Sequence, residues 1–168
     1  MRDHPLLPVL AVLSWAVVTT TAAAQPTVPP PVSAWSAPLA GELQVTRPFE
    51  QPPGPYAAGH RGADLAGAPG STVLAAGDGV VVFAGMVAGR PVVSVDHANG
   101  LRTTYEPMDP SVAAGQPVAR GSPIGTLTTG HPGCTREACL HWGLRRGGTY
   151  LDPLLLLRPP RVRLLPFG

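Results

Sequence analysis

From residue 43 onward the chain alternates short apolar runs with turn-forming residues. The runs cover residues 43–49, 72–76, 79–84, 91–96, 101–106, 123–127 and 139–145; they are rich in Val, Thr, Leu and Tyr and are separated by Gly, Pro, Asn or Asp. No stretch keeps the apolar period of an amphipathic helix over ten residues or more. Asn99-Gly100, between Val93-Ser94-Val95 and Thr103-Thr104-Tyr105, is a strong hairpin signal, because a tight turn there requires positive φ. Gly77-Asp78-Gly79 and Val87-Ala88-Gly89-Arg90 mark further tight joins. The pattern predicts an all-β domain over residues 43–168, an antiparallel β-sandwich or open barrel. Residues 150–157 are apolar but too few to span a membrane, and are expected to fold back over the sheet. Residues 158–168, where Val162 and Leu164 alternate, are expected to add an edge strand.

The pattern before residue 43 is different. Arg2, partly offset by Asp3, precedes an apolar segment over residues 6–18, and Ala22-Ala23-Ala24 offers a small-residue cleavage site before Gln25. A membrane anchor needs about 20 apolar residues, and this run stops earlier, at Thr19-Thr20-Thr21. Residues 1–24 therefore read as a cleaved signal peptide and residues 25–42 as a Pro-rich linker. The mature chain is then secreted or held at the cell envelope, with no transmembrane segment. In an oxidising compartment the two cysteines, Cys134 and Cys139, are expected to form a disulfide.

Composition narrows the classes. Hydrophobic residues make up 44% of the 168 and charged residues 13%, which supports one packed domain and argues against disorder. The net charge of +2 is too small to point to nucleic acid. All 12 basic residues are arginine, so no lysine-dependent chemistry is available.

Two elements carry candidate chemistry. Gly59-His60-Arg61-Gly62-Ala63-Asp64-Leu65 sets an imidazole four residues from a carboxylate. Alone, that spacing is common and fits a surface histidine beside a turn aspartate. Cys139, His141 and Gly143 share one face of a strand whose other face carries Leu140, Trp142 and Leu144. Alone, His141 reads as a partly exposed sheet histidine. Taken together, His60, Asp64 and His141 form a donor set that suits zinc, with three protein ligands and room for water. The other histidines fit less well: His4 lies in the signal, His97 in the hairpin turn, and His131 in a Gly/Pro loop.

The run 59–66, then 69–81, 95–105, Val118, Gly121, Pro123-Ile124-Gly125 and the His141 strand together resemble, in order, the lysostaphin-type zinc endopeptidase domain. The resemblance covers roughly residues 45–157. It implies Zn2+ held by His60, Asp64 and His141, and cleavage of peptide cross-bridges or stems in bacterial peptidoglycan. The paired segments 73–80 and 112–118 resemble the hybrid motif that this family shares with biotinyl and lipoyl carriers; the lack of lysine excludes the carrier reading.

Two departures bear on activity. Pro107 stands where the family carries a catalytic histidine after Tyr105, and Cys139 stands at the first position of its usual His-x-His. Losing a general base or an oxyanion partner costs about 10²–10⁴-fold each. Candidate substitutes are Glu106, which strand alternation turns away from the face of Tyr105 and Pro107, and His131, which would have to fold in from its loop. Cys139 as ligand or nucleophile is disfavoured by its expected bridge to Cys134. The leading reading is an exported zinc endopeptidase with an altered set of supporting residues. A second is a silent member that binds wall peptides or regulates another cell-wall hydrolase, and a weaker third is a zinc-stabilised adhesion module.

Overall fold

The structure, a computed structural model, describes residues 34–54 and 57–158. The signal peptide, the first half of the linker and the edge strand expected near the carboxyl end lie outside the described residues. The strands run β1 (Val45–Arg47), β2 (Gly62–Gly67), β3 (Thr72–Leu74), β4 (Gly79–Val87), β5 (Arg90–Asp96) and β6 (Leu101–Glu106). Then follow β7 (Met108–Pro110), β8 (Pro117–Val118), β9 (Pro123–Leu127), β10 (Ala138–Arg146) and β11 (Thr149–Leu151). The larger sheet has the order β1-β2-β10-β6-β5-β4-β8, with β11 also on β10; the smaller is β3-β9-β7. Every pairing is antiparallel, and no α-helix occurs among the described residues, so the all-β expectation holds.

Alternation builds the core. Leu140, Trp142 and Leu144 of β10 point inward, as do Val93 and Val95 of β5 and Tyr105 of β6. From the smaller sheet Val73, Met108, Ile124 and Leu127 join the same buried cluster. The hairpin between β5 and β6 turns at Ala98–Gly100, with φ of 68° at Asn99 and 70° at Gly100, and His97 N donates to Leu101 O at 2.8 Å.

Part of the stretch read as linker belongs to the packed body. Leu39 is buried in the core, Ser36 N donates to Ala76 O, and Leu74 N donates to Pro38 O. Trp35 stands edge-on to His97, ring centroids 4.8 Å apart. Trp35 and Leu39 carry apolar surface that the core takes up, so this part of the expected linker packs against the domain. At the other end, Pro153–Leu157 forms a short 3₁₀ turn capped by Asp152, and Leu154, Leu156 and Leu157 pack on the core as expected.

A buried hydrogen-bond chain ties the hairpin to the core. Ala76 N donates to Tyr105 Oη at 2.9 Å, Tyr105 Oη lies 2.9 Å from Thr103 Oγ1, and that hydroxyl lies 2.7 Å from His97 Nε2. His97 Nδ1 donates to the Asp78 carbonyl at 2.8 Å, so Nε2 is the acceptor. Burial pushes the His97 pKa below its ordinary 6.5, against the opposing effect of the Asp78 carbonyl. A histidine held neutral contributes stability that is fully present above pH 6.5 and is lost as pH falls towards its depressed folded value. The midpoint of thermal unfolding should therefore fall between about pH 7.5 and 5 more steeply in wild type than in His97→Gln; equal slopes would show that His97 titrates alike in both states.

Candidate metal centre

β10 lies between β2 and β6, and this register assembles the site. His141 is directly opposite Asp64 of β2 and directly opposite Glu106 of β6. Opposed residues of antiparallel strands share a face. Asp64, His141 and Glu106 therefore form one row on the face away from Trp142 and Tyr105. This corrects the sequence expectation for Glu106. Alternation does turn it away from Tyr105, but Tyr105 is a core residue, so away from Tyr105 means towards His141.

His60 enters just before β2, held by backbone bonds in both directions with Glu50. Its Nδ1 lies 2.6 Å from the Pro48 carbonyl, which can only accept, so the proton sits on Nδ1 and Nε2 offers a lone pair to the site. That Nε2 lies 3.0 Å from Asp64 Oδ1 and 3.1 Å from His141 Nδ1, while His141 Nδ1 lies 2.8 Å from the same carboxylate oxygen. Both His60 and Asp64 are buried. Three converging acceptors are tolerable only around a proton or a cation. The donor set fits zinc: with ligands at about 2.0–2.1 Å, a tetrahedral zinc spaces them about 3.3 Å apart, slightly wider than these separations. A close approach of backbone keeps the site compact, since a Cβ on Gly62 would lie 2.5 Å from Trp142 O and 2.7 Å from His141 Nε2.

His131 also reaches the centre. Its Nε2 lies 3.1 Å from Asp64 Oδ1, its ring stacks on His141 with centroids 5.5 Å apart, and its side chain is 9% exposed. Its Nδ1 is buried without a hydrogen-bond partner among the described residues. The loop that delivers it is closed by the Cys134–Cys139 disulfide, Cα–Cα 5.7 Å. Between them, Cys134 N donates to the His131 carbonyl across Pro132-Gly133, with Gly133 at φ 79°, the geometry of a turn that demands positive φ at its third residue. Burial alone would raise the Asp64 carboxyl; the hydrogen bonds and charge of His131 and His141 outweigh it and hold the group well below the usual carboxylate range.

Glu106 shares the row but is engaged elsewhere, with Arg90 Nε 3.4 Å from Oε2. Pro107, where the resemblance places a histidine, is buried. A groove of about 230 Å³ opens beside His141, lined also by Arg61, Thr104, Glu106, Arg145 and Tyr150. The sequence reading missed Arg61, Arg145 and Tyr150; the signal available was the alternation of Arg145 with His141 along β10 and the pairing of β11.

Residues 58–153, more than half of the chain, match the profile of Peptidase family M23. The chain is 51% identical over 135 residues to the uncharacterized protein Rv2891 of Mycobacterium tuberculosis, covering 78% of this chain and 54% of that one. It is 33% identical over 101 residues to the DD-carboxypeptidase/endopeptidase Mpg of Neisseria meningitidis, covering 60% of this chain and 23% of that protein. The chain thus spans about half the length, or less, of these curated relatives. Among solved structures, the catalytic domain of the prophage-encoded M23 protein EnpA from Enterococcus faecalis superposes with a TM-score of 0.56 at 26% identity, covering 70% of this chain and 94% of that domain. With this match spanning His60, Asp64 and His141, the chain belongs to peptidase family M23.

Proposed function

We propose that the protein is an exported zinc metalloendopeptidase acting on the peptide cross-links of bacterial peptidoglycan, with His131 standing in for the missing catalytic histidines. The observation that carries the reading is the convergence of His60 Nε2, Asp64 Oδ1 and His141 Nδ1 within 4.8 Å, beside a groove that His141 lines. Bound there, zinc would polarise a peptide carbonyl and lower the pKa of a water towards about 7. The chain's own residues do the rest. Pro48 fixes the tautomer of His60, Gly62 lets β2 close on β10, and His131 places an imidazole against the Asp64 carboxylate, positioned to move a proton during peptide hydrolysis. The peptidase membership of the family and the name of the Neisseria relative support a peptide substrate.

Pro107 and Cys139, in place of histidines, favour a second reading, a wall-peptide-binding or hydrolase-regulating domain without turnover. Metal removal separates the two. Peptidoglycan digestion by the zinc-loaded protein should fall to background after chelation and return when zinc is restored. Sacculi left uncut by the zinc-loaded protein, yet retaining it in a pull-down, would favour the binding reading.

A further inference from the structure

The groove beside His141 differs in charge at its two ends. Glu106 stands in the metal-ligand row and is neutralised by Arg90. Arg61 and Arg145 stand beyond it, both beside Tyr150: register places Tyr150 opposite Arg145, and Arg61 Cζ lies 5.4 Å from the Tyr150 ring centroid. Arg145 is also directly opposite Arg102, a pairing of like charges that is unfavourable by itself. Asp96 engages Arg102 through both carboxylate oxygens, with Nη2 to Oδ2 at 2.7 Å. Arg145 instead donates from Nη1 to a neutral acceptor, the Gly147 carbonyl, at 3.0 Å. Among the described residues no carboxylate lies within ion-pair distance of Arg145, although its charge helps, after that of Arg102, to hold the nearby Asp96 carboxyl below the ordinary value.

The floor between the two ends is glycine without a structural need for it. A Cβ on Gly143 would meet Thr104 Cβ at 3.5 Å and Arg61 O at 3.7 Å, ordinary contact distances, and the backbone there is not left-handed. What glycine provides at 143 is depth for a chain lying across β10.

We infer that the groove takes an extended peptide with a free carboxylate near the cleaved bond, and that Arg145, with Arg61 beside it, is the group that holds that carboxylate. The substrate class is then acidic or carboxyl-terminal stem peptides rather than bridges of uncharged residues. Arg145 lies four residues beyond His141 on β10, about 13 Å at strand rise. About four extended residues cover that span, and the reach of the arginine side chain shortens the requirement to about two or three. A planar guanidinium suits a carboxylate because it can donate two parallel hydrogen bonds.

This inference rests on the peptidase reading, and one experiment separates the two. Two fluorophore-labelled synthetic stem pentapeptides, ending in a free carboxylate or in a carboxamide, are mixed rapidly with the zinc-loaded protein and binding is read ahead of turnover. The acid should bind about tenfold or more tighter than the amide. Arg145→Gln should bring the acid to the amide's affinity, and Arg145→Lys should keep part of the preference. Gly143→Val should weaken both peptides alike. Circular dichroism and zinc content identify any variant that has lost its fold. Equal affinity of folded wild type for acid and amide overturns the carboxylate site and leaves the peptidase reading standing. A preference for the acid that persists in Arg145→Gln overturns the assignment to Arg145. Binding of neither peptide by folded, zinc-loaded wild type removes the stem-peptide reading and this inference with it.

Discussion

His141→Ala is expected to strip the protein of zinc while leaving its fold in place. Wild type should retain about one zinc per chain through dialysis, as a site with three protein ligands does. Deleting His141 removes one of the three donors and leaves His60 Nε2 and Asp64 Oδ1 facing each other at 3.0 Å. Loss of an outer-shell partner alone costs about 10–100-fold in metal affinity, so loss of a ligand should exceed about 100-fold. The fold should survive because the packing of β10 is carried by Leu140, Trp142 and Leu144 on the opposite face, while His141 stands on the groove face with its side chain 14% exposed. Zinc also stabilises whatever state binds it, so the unfolding temperature of wild type should rise with added zinc and that of the variant should not. Atomic emission after dialysis, together with circular dichroism, reads both. Zinc retained at full stoichiometry by the variant would place the metal outside this cluster.

The cluster of His60, Asp64 and His141 is legible in the sequence, and the residues around it are not, for local reasons. β5, β6 and β10 announce themselves through alternation with β-branched and aromatic residues, and the hairpin through Asn99-Gly100. β2 does not: Gly-Ala-Asp-Leu-Ala-Gly lacks β-branched side chains, and it is a strand because β1 and β10 pair with its two edges. Only that pairing shows Asp64 to stand directly across from His141. The facing of Glu106 likewise required knowing that Tyr105 lies in the core. The Gly/Pro context shows that His131 lies in a loop, but the direction in which a loop returns depends on long-range constraints. Here these are the disulfide to Cys139, at the edge of the ligand strand, and the turn through Gly133. Trp35 and Leu39 were obscured by prolines, whose extended conformation reads as linker whether or not it lies against a sheet.

His131→Ala should then separate binding of metal from turnover. The variant keeps His60, Asp64 and His141, so zinc should remain near wild-type stoichiometry, within the roughly 10–100-fold affinity margin of a lost outer-shell partner. If His131 moves the proton in hydrolysis, kcat should fall by about 10²–10⁴-fold with KM little changed. Glu106→Gln provides the contrast. Its carboxylate is engaged by Arg90 and its row position borders the groove, so its replacement should alter KM more than kcat and cost less than about tenfold in kcat. Cys134→Ser offers an independent route to the same residue. It opens the bridge that ties the turn presenting His131 to β10, so activity should drop towards the level of His131→Ala while the metal stays bound. The His131→Ala and Cys134→Ser double variant should then be no worse than either single one, since both remove one function. Full activity in His131→Ala together with a collapse in Glu106→Gln would transfer the proton-moving role to the glutamate, where the register already places a carboxylate beside His141.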